Sequence, residues 1–289
     1  MLARQSWVDL QADARVLVDS DGLFRAYGRN AFRPAAGDDV SVVLLGGVDP
    51  DWRGRGIGRR LLAWQRERAV RNVADLRAAA PGELPARIGR GIEDQVTENA
   101  RLFTAAGFAA TRWFVEQRRP LTGLGEPRPL DVDGLRVEPY GDAHAERLRL
   151  AHNEAFADHW GSNPHDAESW RTSLLEDDTF RPRQSFVIVD ENTAGEPVVG
   201  YAVNFEYEQD WAELGFTEGY TEMLGVLRPW RGRGLAKHLL QLTAHAFAEA
   251  GHPYATLDVD ADNPTGAVAL YESLGYLPVH RATYYSVTA

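Results

Sequence analysis

Cysteine is absent from the 289-residue chain. Its absence excludes disulfides, thiolate metal sites and a cysteine nucleophile together, and points to a reducing compartment. Lysine is nearly absent too: Lys237 stands alone among 31 basic residues, which 42 acidic ones outnumber for a net charge of −11. With so few cations to displace counterions from a polyanion, nucleic acid is not an expected partner, and a cationic small molecule suits the chain better. No apolar run approaches the ~18 residues of a membrane span, and Met1 to Trp7 has no signal-peptide core, so the expected location is cytoplasmic with no membrane partner. Metal-site spacing is missing as well. His152, His159 and His165 do not follow it, while His238, His245 and His252 recur every seven residues as a helix packing face would, so no metal is expected. The composition sets no oligomeric state.

What the chain does have is a duplication. Trp-Arg-Gly-Arg-Gly runs from Trp52 to Gly56 and again from Trp230 to Gly234, and each copy joins a strand-like apolar run to an amphipathic helix. The flanks match: Val48 and Val226 stand four residues ahead of their tryptophans, and Ile57-Gly58-Arg59-Arg60-Leu61-Leu62 parallels Leu235-Ala236-Lys237-His238-Leu239-Leu240. At 44% hydrophobic and 25% charged, the length suits two ordinary globular domains.

The proline- and glycine-containing stretch from Arg118 to Pro129 lacks apolar periodicity and reads as linker, which divides the chain into 1–119, a linker 120–134 and 135–289. In the second part, strands are expected at Leu135 to Tyr140, Ser185 to Asp190, Val198 to Tyr207, Tyr220 to Leu227 and Tyr254 to Val259, with a strand pair from Leu277 to Val287. Helices are expected at Ala143 to Trp160, Asp166 to Phe180, Gly234 to Ala250 and Pro264 to Leu274. The first part repeats only the later portion of that series: strands at Arg15 to Asp19, Leu23 to Phe32, Val40 to Val48 and Arg87 to Ile92, helices at Gly56 to Val70 and Glu98 to Ala106. Its first strand and first helical pair are largely missing, so it reads as truncated at its start. This order is that of an α/β protein with helices packed on a mixed sheet.

A strand ending at Val226, a turn with Gly232 and Gly234 and a helix from Leu235 aim unpaired N–H groups at one spot, with Arg231 and Arg233 alongside. Such a spot takes an anion, and a pyrophosphate is the natural guest. A dinucleotide fingerprint fails on its last glycine step, and no Lys-Ser pair follows to make a phosphate loop of the Walker type. An Arg-Gly RNA-binding tract would be repetitive rather than set singly between apolar elements.

Arg231-Gly232-Arg233-Gly234-Leu235-Ala236 resembles the acetyl-coenzyme A signature of the GCN5-related N-acetyltransferases (GNAT), and Arg53 to Gly58 resembles it too. The likeness continues through Asp258 to Pro264 and into Ala267 to Tyr276, with its Asn, Ala, Leu-Tyr and Gly-aromatic spacing. It implies two tandem GNAT-like domains, each a mixed, mostly antiparallel sheet flanked by helices, the second complete and the first incomplete and noncatalytic. It implies acetyl-CoA as cosubstrate, held by Leu224, Gly225, Val226, Arg231, Gly232, Arg233, Gly234, Leu235, Ala236 and Asn263. A second cofactor site would use Val48, Arg53, Gly54, Arg55, Gly56, Ile57 and Gly58.

Acetyl transfer to an amine needs a base, an oxyanion donor and a proton for the leaving thiolate. Alternation along the strand sets Tyr220, Glu222, Leu224 and Val226 on one face, making Glu222 the candidate base. The resemblance assigns Tyr271 as general acid. It also implies a substrate wall from the loop of Asp158, His159 and Trp160 with Glu206, a carboxylate and aromatic surface that suits an amine. In the first domain Leu44 and Phe103 take the places of Glu222 and Tyr271, so no catalysis is expected there. The resulting expectation is an N-acetyltransferase acting on a small-molecule primary amine. Its competitors are acetylation of a cysteinyl amine, as in a tandem-domain branch of the family, and a noncatalytic acyl-CoA sensor.

Overall fold

A computed structural model describes the chain except residues 1–8, 33–39, 80–84, 128, 158, 163, 263–265 and 289. The first part holds α1 (Leu10–Asp13), β1 (Ala14–Val18), β2 (Phe24–Phe32), β3 (Val40–Val48), α2 (Ile57–Ala79), β4 (Ala86–Glu93), α3 (Thr97–Ala105) and β5 (Ala109–Pro120). The second holds β6 (Leu135–Pro139), α4 (Ala145–Ala155), α5 (Ala167–Trp170), β7 (Phe186–Asp190), β8 (Val198–Phe205), α6 (Trp211–Leu214), β9 (Glu218–Val226), α7 (Leu235–Glu249), β10 (Tyr254–Asp260), α8 (Ala267–Ser273) and β11 (Leu277–Thr288).

The chain forms two compact units, Met1–Phe114 with Arg281–Ala289, and Val115–His280. This division differs from the sequence expectation at both ends. Residues 118–120 are the end of β5 rather than linker, because Arg118 Nε binds Glu218 at 2.8 Å and the amide of Leu121 binds the carbonyl of Pro253. The expected closing strand pair is one strand, β11. Its residues Ala282 to Thr288 pair antiparallel with Glu93 to Arg87 of β4 and therefore belong to unit 1.

In unit 1, β1/β2 and β2/β3 pair antiparallel and β3/β4 parallel. Val40, Val42 and Leu44 alternate onto the face covered by α2, where Leu62, Ala69 and Val73 bury against them. Among the described residues before β3, the helical content is the single turn α1. In unit 2 the ladder β6-β7-β8-β9 is antiparallel and β9/β10 parallel. Helices cover both faces. Tyr201 and Val203 of β8 bury with Leu148 and Ala151 of α4, whereas the intervening Ala202 buries with Leu235 and Leu239 of α7. The apolar residues of α7 recur as Leu235, Leu239, Leu240, Ala244 and Phe247, one buried stripe, and truncating any leucine of it to alanine costs about 2–5 kcal/mol. The helix stops at Gly251, whose φ of 90° is the left-handed geometry that ends helices. His252 thus lies beyond the helix, not on its face with His238 and His245.

Candidate functional site

The parallel pairing of β9 with β10 runs from Glu218/Tyr254 to Thr221/Leu257 and stops, although β9 continues to Val226 and β10 to Asp260. Beyond that point the strands part. Leu224, Gly225 and Val226 pair only on their other side, with Ala202, Tyr201 and Gly200 of β8, which leaves backbone groups facing the opening. An extended, amide-bearing ligand could add there as a strand does. Gly225 is required for a packing reason: a Cβ would collide with the ring of Tyr201, which is hydrogen-bonded through its hydroxyl to His152 Nδ1 at 2.9 Å.

The head of the opening is built by a β-bulge. Val203 faces Met223 and the next residue, Asn204, faces Thr221, so Glu222 has no partner on β8. The extra residue switches the face of the strand. Leu224 and Val226 pack toward α7, whereas Met223 packs with the α4 cluster and Glu222 receives the hydroxyl of Tyr207 at Oε2 over 2.9 Å. The expected single face of Tyr220, Glu222, Leu224 and Val226 is therefore broken at Glu222. Glu222 is exposed along the cleft, yet the protein around it is dense. Burial is the largest influence on its carboxyl and raises the pKa above the ordinary glutamate range; Asp258 and Asp177 push the same way, and only the Tyr207 hydrogen bond opposes them among these neighbours.

The turn that follows is an αL-rich loop. Gly232 and Gly234 have φ of 76° and 80°, conformations that side chains resist, and Gly234 begins α7 with no side chain capping it. Free helix N–H groups there suit an anion. The two arginines have scaffold duties that the sequence reading missed: Arg231 Nε donates to the carbonyl of Val226 at 3.0 Å, and Arg233 stacks over Trp230 at 4.7 Å. Leu235 is buried at the helix start and Ala236 follows it on the first turn. The first turn of the chain repeats this construction. Gly54 and Gly56 have φ of 74° and 77°, Arg53 Nε reaches the carbonyl of Val48 at 3.4 Å, and Arg55 stacks over Trp52 at 4.6 Å. Val48, Ile57 and Gly58 line a cavity of about 630 Å³ with this turn, Leu44, Arg90 and Phe103.

Tyr271 on α8 is buried with Phe247, Leu257 and Val259, a cluster that also receives Leu224, and burial pushes its phenol up to about 12. It stays protonated at neutral pH, as an acid must. Asn263 and Asp158 lie outside the described residues. His159 meets the ring of Phe156 edge-on at 4.9 Å, and Trp160 follows it in the same turn. Glu206 does not fit the substrate wall expected of it. Its buried carboxylate accepts from Arg181 Nε at 2.6 Å, Gln184 Nε2 at 2.7 Å and His252 Nε2 at 2.8 Å, so three donors inside unit 2 hold it in place. Although burial alone would raise its pKa, those donors bring it below the usual range. Tyr207 and Asp258 are the residues that sequence reasoning passed over. Only the bulge, invisible in the alternation pattern, brings Glu222 to Tyr207. Among the described residues no group of three or more His, Asp or Glu could hold a metal, and no helix is long and apolar enough to cross a membrane.

Residues 146–276, all within unit 2, match the Acetyltransferase (GNAT) family. The whole chain is similar to a mycothiol acetyltransferase of Thermomonospora curvata, at 32% identity over 95% of this chain and 83% of the relative. The chain belongs to the GNAT family. As a GNAT protein it is an acetyl-CoA-dependent N-acetyltransferase. Among solved structures, a GCN5-related N-acetyltransferase from Sphaerobacter thermophilus superposes with a TM-score of 0.70 at 26% identity, covering 98% of this chain and 82% of that one. A tandem GNAT protein from the clavulanic acid biosynthesis pathway has the same fold, with a TM-score of 0.64 at 18% identity over 93% of this chain and 81% of that one. The GNAT fold is thus present in tandem, α/β in both halves.

Proposed function

We propose that unit 2 moves the acetyl group of acetyl-CoA to a primary amine of a small molecule by direct attack, with Glu222 as base and Tyr271 as acid. The observation that carries this reading is the bulge that turns Glu222 into the head of the β9–β10 opening, with a carboxyl whose pKa is raised toward that of a working base. Glu222 takes a proton from the ammonium and the neutral nitrogen attacks the thioester carbonyl; as the C–S bond breaks, the Tyr271 phenol protonates the departing sulfur, and the second proton that the nitrogen sheds in becoming an amide restores the phenol. The backbone of Leu224 to Val226 would hold the pantetheine arm, and the turn from Arg231 to Ala236, with Asn263, its pyrophosphate. Acetyl-CoA supplies the activated acyl group; the chain supplies orientation and proton transfer. His159, Trp160 and Asp158 would border the amine. Unit 1, with Leu44 and Phe103 in the corresponding places, holds a coenzyme at its own turn without turning it over.

A cysteinyl amine is the substrate class favoured by the similarity to a mycothiol acetyltransferase across nearly the whole chain. Release of free thiol from acetyl-CoA, followed across a panel that sets cysteinyl amines against simple primary amines, tests both readings. Turnover restricted to cysteinyl amines supports the narrower one. Absence of turnover with any primary amine overturns the substrate class.

A further inference from the structure

Tyr207 lies just beyond β8 and is gripped by two rings, Phe205 stacked on it at 5.9 Å and Tyr220 meeting it edge-on at 5.4 Å. Those contacts fix the phenol. Its hydroxyl donates to Glu222 Oε2 at 2.9 Å, and Tyr220 is itself hydrogen-bonded to Asp258. Glu222 and Asp258 are the first residues past the end of the β9–β10 pairing. Two touching tyrosines therefore hold the two carboxylates at which the strands part.

We propose that Tyr207 is the positioning residue for Glu222: its O–H clamps Oε2, fixes the carboxylate plane and leaves Oε1 to take the amine proton. The inference rests on the reading of Glu222 as base. In the step it serves, an N–H bond of the ammonium breaks, an O–H bond forms at Oε1, and the nitrogen keeps the electron pair that attacks the thioester carbon. A half-buried phenol whose own ionisation is strongly disfavoured can do this at any working pH, because it donates and does not titrate. The charged and titratable groups facing Glu222 are Tyr207, Tyr220 on its own strand, Asp258 on β10 and Asp177 from the loop before β7. Tyr207 stabilises the carboxylate form while Asp258 destabilises it, so the two must move the base in opposite directions.

The test is a pair of pH profiles of kcat/KM on the best amine found, for Tyr207→Phe and Asp258→Asn. Tyr207→Phe should lower kcat about tenfold with little change in the amine KM, and shift the acidic limb to higher pH. Asp258→Asn should shift that limb to lower pH. A Tyr207→Phe enzyme with the wild-type kcat and limb overturns the proposal. If that variant melts early, a double variant keeps the question open to measurement: in a Glu222→Gln background, losing the hydroxyl should cost no further rate. A further tenfold loss there would make Tyr207 a merely structural support and sink the idea. Failure of the underlying reading looks different, as a Glu222→Gln enzyme that keeps wild-type activity.

Discussion

Unit 1 and unit 2 build the same opening and put different chemistry at its head. In each, the parallel pairing covers four residue pairs, Val40 to Val43 on Ala86 to Gly89 and Glu218 to Thr221 on Tyr254 to Leu257, before the strands part. In each, an arginine ties the strand end to the turn and a second arginine lies on a tryptophan. The next residues are Leu44 and Arg90 in unit 1 but Glu222 and Asp258 in unit 2. Register decides their fate: β2 and β3 pair without a slip, so Leu44 stays opposite Asn30 and is buried at 1% exposure, whereas the bulge in unit 2 frees Glu222. Arg90 sends its guanidinium back to the carbonyl of Gly46 on β3 at 3.2 Å. Below the turn, Phe103 and Phe108 repeat the spacing and backbone bonding of Tyr271 and Tyr276, with no hydroxyl. A glycine turn of this construction and a bulge that frees a carboxylate are thus separable features, joined in unit 2 and not in unit 1.

The comparison breaks most directly at Glu222. Glu222→Gln keeps size and hydrogen bonding but removes basicity, so kcat/KM should fall by roughly 10²-fold or more. The wild-type acidic limb should lie above the ordinary carboxylate range, since the raised pKa keeps the group protonated, and inactive as base, to higher pH. The variant should lose that limb. Steady-state kinetics against pH decides it; a limb that persists in the glutamine enzyme would place the base elsewhere.

The two turns should part company next. Gly234 and Gly56 have open space around an added Cβ, so only their positive φ resists substitution, and a β-branched side chain resists it most. Gly234→Val should abolish turnover, while Gly56→Val should leave kcat within several-fold of wild type. Calorimetry with coenzyme A should give two equivalents bound in wild type and one in each variant. One equivalent in the wild type would reduce unit 1 to a support.

The duplicated turn and the strand-turn-helix order were legible because glycines at left-handed positions and periodic apolar residues are local signals. Bounds of β3, α7 and β10 fell within a residue or two for that reason. The bulge was not legible: Glu218 to Val226 reads as simple alternation, and only a cross-strand register reveals that Glu222 is unpaired. Glu206 misled for the opposite reason. An acidic residue after a strand looks solvated, and its three donors, Arg181, Gln184 and His252, lie 22 to 46 residues away from it in sequence. The exchange of Ala282 to Thr288 into unit 1 likewise depends on a long-range pairing with β4 that no local pattern announces.

Tyr271→Phe should sharpen the contrast with Phe103. It deletes one hydroxyl from a buried ring, so acetyl-CoA binding should persist while the chemical step slows by about 10-fold to 10²-fold, within the usual range for a general acid. Single-turnover kinetics separates the two quantities; an unchanged chemical rate would return Tyr271 to the role Phe103 has, a packing ring.

The smallest effect concerns stability. Because folding raises the pKa of Glu222, the native state binds that proton more tightly than the unfolded chain does. The stabilisation this brings is fully present below the unfolded pKa and is lost as pH rises through the folded one, so at neutral pH the ionised carboxylate is a burden on unit 2. Glu222→Gln should therefore raise the melting temperature at pH 7 by a few degrees at most, and the gain should shrink as the pH is lowered toward 4. Leu44→Gln in unit 1 should do the reverse, lowering the melting temperature at every pH, because it buries an amide among Val42, Leu62 and Phe103 without a partner. Melting curves of the two variants across pH test the pair together. A glutamine at 222 that destabilises at pH 7 would mean that the carboxylate is held there by favourable contacts, and that unit 2 bears no stability cost for its base.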